Sequence, residues 1–452
     1  MRMRKIPSNR PPAARPPGRR PRRWPWLVTA LATACLTAAC TSDVVTSTAA
    51  ASGSAATPSA ASNAAGPVDC APPGVKQPPC YSPQAYQVAY GVAPLLGRGT
   101  NGSGETVVMP ELAQTSSDGG ATDIRQDLAA FDKTFGLPAA SLHVVNAIAE
   151  SAEPYLAGDE ELTDTEMVHA IAPGASLDVV LVPADATSSA AGIAAAVTRV
   201  IREGISLHAA VVSISVSVGE HFLTRAEAAA MNAALEQARE QDVTVVASSG
   251  DYGAVSSHPA GPPVQVSMPA SDPLVLGVGG TSLDASPAGT YLGEMAWNAD
   301  TEASGGGYSS LFPRPSYQDG LARAGNTRGV PDVAANADSS TAMALEYGDG
   351  ELRPAPGTSA SAPLWAGVIA LADQQAGHSL GFINPAIYAI TRGADYHRAF
   401  HDVVTGDNSV IWPTGIFVGY NAGPGWDPVT GWGSPNAQYL VPLLARTARS
   451  GA

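Results

Sequence analysis

The sequence predicts an α/β fold, a mainly parallel central β-sheet flanked by helices on both faces. Strand-like and helix-like segments alternate through the middle of the chain, the pattern left by successive βαβ units. With 452 residues, 45% of them hydrophobic, the chain can bury a large core. Only 14% of residues are charged, and 46 glycines and 38 prolines punctuate the elements, which suits a compact folded unit.

The elements follow in order. Glu160 to Ile171 reads as a helix and is stopped by Pro173-Gly174. Leu177 to Val182 is a strand, Ser188 to Ile201 an alanine-rich helix, and Ala209 to Ser215 a strand rich in Val and Ile. Arg225 to Glu240 is a clear helix, and Val243 to Ala247 and Leu274 to Val278 are strands. The apolar run Ala366 to Ala372 predicts a buried helix. In such sheets, functional groups gather at the carboxyl ends of the strands. Neither an internal repeat nor a second shift in composition divides residues 81–446, so they are expected to form one domain.

The N-terminal region has a different character. Residues 1–40 hold nine Lys/Arg and no acid, with a short apolar stretch from Trp26 to Ala32. That is the pattern of an export signal, too short for a spanning helix. Leu36-Thr37-Ala38-Ala39-Cys40 is similar to a lipoprotein cleavage box, so membrane attachment through a lipidated Cys40 is expected. An ordinary cleaved signal is the alternative, and paired arginines leave a twin-arginine route open. Residues 41–66, mostly Ala, Ser, Thr, Gly and Pro, form a tether, and 67–80 a short lead-in. Cys70 and Cys80 most simply make a disulfide in an exported chain. The expected location is therefore outside the cytoplasmic membrane, secreted or held at the cell surface.

Charge narrows the partners. The formal net charge is −15. Setting aside the nine basic residues of 1–40 leaves 16 basic against 40 acidic, a net of −24. Such a surface repels phosphates, so nucleic acid is excluded as a partner. A monomer is expected.

The segment from Pro356 to Gly367 carries the sharpest chemical signal. It places Ser359 at the mouth of an apolar helix, after Gly357. A helix N-terminus offers unpaired N–H groups and partial positive charge, so a serine there can attack a carbonyl while donors hold the oxyanion. A plain serine N-cap explains the same residues without chemistry. Glu160 and Asp164, four apart, share a helix face, where one can take a proton from a hydroxyl in acid. A solvated acidic turn also fits them. Asp251 follows a strand in Ser249-Gly250-Asp251, where a protonated carboxyl could hydrogen-bond an oxyanion or simply make a turn. None of the eight histidines is followed by Gly, so the His-Gly-Thr helix start of a serine–histidine triad is missing, and a histidine base is not expected. Asp402 and Asp427, with the Gly-rich segment before Asp427, could offer oxygen ligands to calcium or be two local caps.

Taken together these segments resemble the sedolisins, serine-carboxyl peptidases of subtilisin-like fold, over about residues 80–445. Glu160 to Asp164 resembles the family's E-x-x-x-D helix, Ser249-Gly250-Asp251 its oxyanion turn, and Gly357 to Gly367 its nucleophile segment. Ser304 to Gln318 and Arg328 to Asp338 resemble two further signatures. The resemblance implies Ser359 as nucleophile, Glu160 as base, Asp164 orienting it and Asp251 stabilising the oxyanion. It also implies one Ca2+ ion, held by carboxylates of Asp402 and Asp427 and carbonyls of Val403, Gly423 and Gly425. The expected activity is endopeptidase cleavage of proteins and peptides at acidic pH through an acyl-enzyme. A tripeptidyl exopeptidase and an inactive surface binding protein are the alternatives. Two departures stand out. A long folded prodomain is not evident ahead of the domain, and Val216-Ser217 stand where the family commonly has Trp-Gly.

Overall fold

The computed structural model describes residues 66–70, 79–112, 122–146, 156–255, 265–347 and 350–450. The expected export signal, Cys40 and all of the tether except Gly66 lie outside the described residues. Eight strands make the central sheet: β1 (Thr106–Leu112), β2 (Ser141–Asn146), β3 (Ser176–Val182), β4 (Val211–Ile214), β5 (Thr244–Ser248), β6 (Leu276–Ala285), β7 (Tyr291–Ala296) and β8 (Val333–Asn336). Their order is β7-β6-β5-β4-β1-β3-β2, with β8 also on β6. Every pairing is parallel except β6 with β7.

Helices cover both faces, as expected. On one face α1 (Ile124–Phe135), α2 (Asp159–Ile171), α5 (Thr358–Ala376) and α6 (Ala437–Ser450) share a core, and on the other α3 (Ala190–Ser206) and α4 (Arg225–Glu240) pack a second. Strand alternation feeds both: Val107 and Met109 enter the first core and Val108 the second. Helix α5 is apolar all round and buried along nearly its whole length, so it runs through the interior. Glycines bracket it, Gly357 at φ +79° and Gly377 at φ +80°, conformations that β-carbon-bearing residues rarely adopt.

Most sequence boundaries hold to within five residues, but the strand expected from Leu274 to Val278 runs Leu276–Ala285 and the helix expected from Ala366 to Ala372 runs Thr358–Ala376. The expected helix from Ser188 starts as a 3-10 turn, Ala184–Ser188, and becomes α only after Ser189 caps the Gly192 N–H. It then runs on to Ser206. Helix α4 begins at Arg225 because Thr224 and Glu227 form a capping box. Cys70 and Cys80 are disulfide-bonded, and both are buried in the first core.

The Arg328 signature is structural. Arg328 and Asp332 form a fully buried ion pair, with Arg328 Nη1 donating to Asp332 Oδ1 at 2.7 Å. Tyr388 Oη and the Gly277 N–H donate to the same carboxylate at 2.7 and 2.9 Å. A buried ion pair needs such extra donors to offset desolvation, and these tie β6, β8 and the C-terminal segments together.

Candidate active site

The strand order brings the predicted residues to one end of the sheet. Strands β1, β4 and β5 lie side by side and parallel, so their carboxyl ends share one edge of the sheet. Ser359 sits in the first turn of α5 and is 8% exposed. Its N–H, among the first four of the helix, makes no backbone hydrogen bond among the described residues. Four residues on, Pro363 has no N–H to give the Ser359 carbonyl. The hydroxyl of Ser215, just past β4, lies 3.4 Å from that carbonyl oxygen. The same hydroxyl donates to Asp164 Oδ1 at 2.7 Å. Ser215 therefore joins the serine-bearing helix to the acidic helix.

Asp251 is fastened to α5 directly. Its Oδ1 accepts from the Thr358 N–H at 2.8 Å and from Thr358 Oγ1 at 2.7 Å. With Oδ1 so engaged, Oδ2 is the oxygen left to carry a proton. Desolvation raises the Asp251 pKa, although the Thr358 bonds pull the other way. A β-carbon on Gly357 would sit 2.7 Å from Asp251 Oδ2, so glycine is required there for space as well as for φ. The Gly305-Gly306 signature packs from the far side: a β-carbon on Gly305 would lie 2.2 Å from the Ser249 carbonyl oxygen.

Asp164 is fully buried on α2, and its Oδ2 has no hydrogen-bond partner among the described residues. Burial, followed by the charge of Glu160 one turn earlier, raises its pKa well above the usual range. A further acid joins this group. Glu111, near the end of β1, is buried, and neither side-chain oxygen has a hydrogen-bond partner among the described residues. Burial and then the Asp164 charge hold its carboxyl well above the ordinary value. Sequence reasoning missed Glu111, and its signal was a lone acid in the otherwise apolar run Thr106–Leu112. It also missed the side-chain roles of Ser215 and Thr358.

Glu160 opens α2 on the same face as Asp164. Asp164, Asp251, Ser215 and Ser359 are linked as described, and the charge of Glu160 acts on Asp164. Among the described residues, no histidine is hydrogen-bonded to Ser359, Asp251 or Asp164. His169, five residues past Asp164, faces Asp132 at 2.8 Å. Ser176, His143 and Asp178 do form a cluster, but Ser176 Oγ and Asp178 Oδ1 both approach His143 Nδ1, at 3.2 and 3.0 Å. One nitrogen cannot relay a proton between them, and Ser176 begins β3, at the opposite end from Ser359.

Hydrogen bonds link several of the residues expected to hold calcium. Gly425 N–H donates to both Asp402 oxygens at 3.1 and 3.2 Å, and Gly423 N–H to Asp427 Oδ2 at 2.9 Å. Thr430 Oγ1 bridges the Val403 carbonyl and Asp427. Asp427 is fully buried, and desolvation pushes its pKa up to about 6 against several N–H donors. Two carboxylates with nearby carbonyls are the hard oxygen donors that Ca2+ takes, and a cation would relieve the buried charge.

Several known proteins resemble this chain. The subtilase family profile matches residues 145–386, more than half of the chain. The chain belongs to the subtilase family, in its sedolisin branch. This sedolisin is 35% identical over 390 residues to kumamolisin of Bacillus sp. (strain MN-32), covering 82% of the chain and 65% of that relative. It is 31% identical to sedolisin of Pseudomonas sp. (strain 101), over 70% of the chain and 54% of the relative. Human tripeptidyl-peptidase 1 is 32% identical over 51% of the chain and 42% of its own length. The chain thus spans less than two thirds of the curated relatives it matches. The solved structure of Pseudomonas sedolisin, a serine-carboxyl proteinase complexed with two molecules of pseudo-iodotyrostatin, superposes with a TM-score of 0.67 at 26% identity, over 83% of the chain and 99% of that structure.

Proposed function

We propose that this sedolisin is an exported endopeptidase that cleaves proteins and peptides in acid through an acyl-enzyme on Ser359. The observation that carries the reading is the convergence of Ser359, Asp251 and Asp164 at the head of α5, joined through Thr358 and Ser215. Ser359 Oγ attacks the scissile carbonyl, and its proton passes to Glu160. Asp164 favours the charge distribution on Glu160 that this transfer needs. The tetrahedral oxyanion is held by the Ser359 N–H and by the protonated Asp251 Oδ2. Glu160 returns the proton to the leaving amine, and water then releases the acyl group by the same path.

Acidic pH suits this machinery for two reasons. A carboxylate base works near its own pKa, and Asp251 donates only while protonated, a state its burial prolongs. One Ca2+ ion, held by Asp402, Val403, Gly423, Gly425 and Asp427, would brace the loop that Ser304 ties to the sheet. Ser304 Oγ accepts from the Gly280 N–H at 2.9 Å and donates to the Val429 carbonyl at 2.6 Å. Export, with anchoring through Cys40, completes the proposal.

Purified protein incubated with a protein substrate near pH 4 (about the reference carboxyl pKa) tests it. Turnover that disappears in Ser359→Ala is expected, with internal fragments among the products. Release of tripeptides alone would favour the exopeptidase. No turnover in the parent protein under any acidic condition would leave the surface binding protein.

A further inference from the structure

Beside Ser359 lies a cavity of about 120 Å3, lined among others by Ser217, Ser248, Gly250, Val255 and Ser267. It opens where β4 and β5 part. Their last paired residues are Ile214 and Ala247, and beyond them the two chains splay. Two of its serine hydroxyls are already used: Ser215 Oγ donates to Asp164 and Ser248 Oγ to the Ser215 carbonyl at 3.1 Å. The hydroxyls of Ser217 and Ser267 have no protein partner among the described residues, and Ser267 is only 3% exposed. Both lie 4.0 Å from the point where a β-carbon on Gly250 would be, with nothing nearer. Two hydroxyls without a protein partner among the described residues thus face one slot beside Gly250.

The slot belongs to the acyl side of the scissile bond. Asp251 is among its lining and Glu160 is not. In the proposed mechanism the carbonyl oxygen turns to Asp251 and the leaving amine to Glu160. The side chain entering the slot is therefore that of the residue carrying the attacked carbonyl.

We infer that Ser217 and Ser267 select peptides whose residue before the scissile bond bears a neutral side chain able to give and accept hydrogen bonds, an amide or an un-ionised carboxyl. The inference rests on the peptidase reading of the site. Size excludes large rings, since an apolar cavity of about 150 Å3 is filled by one benzene. A charged side chain finds no counter-ion, since among the described residues the lining contains no cation and one acid, Asp251, which must stay protonated to serve the oxyanion. An apolar side chain would bury both hydroxyls without partners, the mismatch that polar sites reject most strongly.

Two quenched peptides that differ only at that residue, Gln against the similarly sized Met, provide the test. The Gln peptide is expected to show kcat/KM about tenfold higher near pH 4. Ser217→Ala and Ser267→Ala should each bring the ratio toward one, and the double variant further. The ratio does not depend on how much enzyme is folded. A parent ratio of one or less, or a ratio unmoved in both variants, overturns the inference while leaving the peptidase reading intact. Absence of turnover of either peptide, and of any protein substrate, overturns both.

Discussion

Ser215 donates its single hydroxyl proton to Asp164 at 2.7 Å while standing 3.4 Å from the carbonyl oxygen of Ser359. Position 363 makes the second approach possible. A residue with an N–H there would bond the Ser359 carbonyl and complete the helix ladder; proline leaves that oxygen facing Ser215. The acidic helix and the nucleophile helix therefore meet through one serine from a third element.

The proposed base is the most direct target. Glu160→Gln should lower kcat at least about a hundredfold near pH 4, the usual scale of general-base catalysis. Melting should change little, because Glu160 sits at the start of α2 rather than in the core. Wild-type turnover by Glu160→Gln would sink the assignment.

Asp251 should separate a donor from a mere spacer. Asp251→Ala is expected to cost about 10²–10³ in kcat, the scale of a lost oxyanion donor. Asp251→Asn keeps an N–H on the same scaffold, so it should retain more activity than Ala and lose less as pH rises. Equal loss in both, measured across pH, would argue that Asp251 only caps α5 through Thr358.

Glu166 gives a prediction about stability. It is buried on α2, where desolvation first, and then the charges of Asp127, Glu346 and Asp132, raise its pKa well above normal. Those acids belong to α1 and to the strand Ala344–Tyr347, and His169 lies beside Asp132. Asp164 and Glu111 shift the same way. A carboxyl whose pKa is raised by folding contributes fully below its unfolded value, about 4, and the contribution is lost as pH climbs through the folded value. The protein should melt highest in acid and lose stability toward neutrality. Glu166→Gln should flatten that decline; a melting temperature that rises from pH 4 to 7 would contradict it.

For calcium, a chelator should lower the melting temperature of the parent protein, and Asp427→Ala should lower it and remove the chelator's effect. Melting indifferent to chelation would refute the site.

Much of this arrangement was legible in the sequence, for a physical reason. The α2 acids, the Gly250-Asp251 turn and the Gly357–Ser359 helix start are each local patterns, set by helix periodicity, turn chemistry and capping. Glu111, Ser215 and Thr358 were not legible as partners. Glu111 meets Asp164, and Ser215 meets Ser359, only because the sheet order sets β1 beside β4. That order is decided by packing, not by any residue near either acid. Ser217 was noticed only as a departure, since its meaning depends on Ser267, which lies 50 positions away in the chain.

The bond between Asp251 and Thr358 has a temporal consequence. It welds the residue that would steady a negative oxygen to the helix that bears the attacking hydroxyl, so that half of the apparatus is rigid before any peptide arrives. Glu160 rides on a different helix, α2. A peptide aldehyde, which needs only an attacking oxygen and a receptive hollow, should therefore still be captured, slowly, by a Glu160→Gln protein that can no longer turn a substrate over.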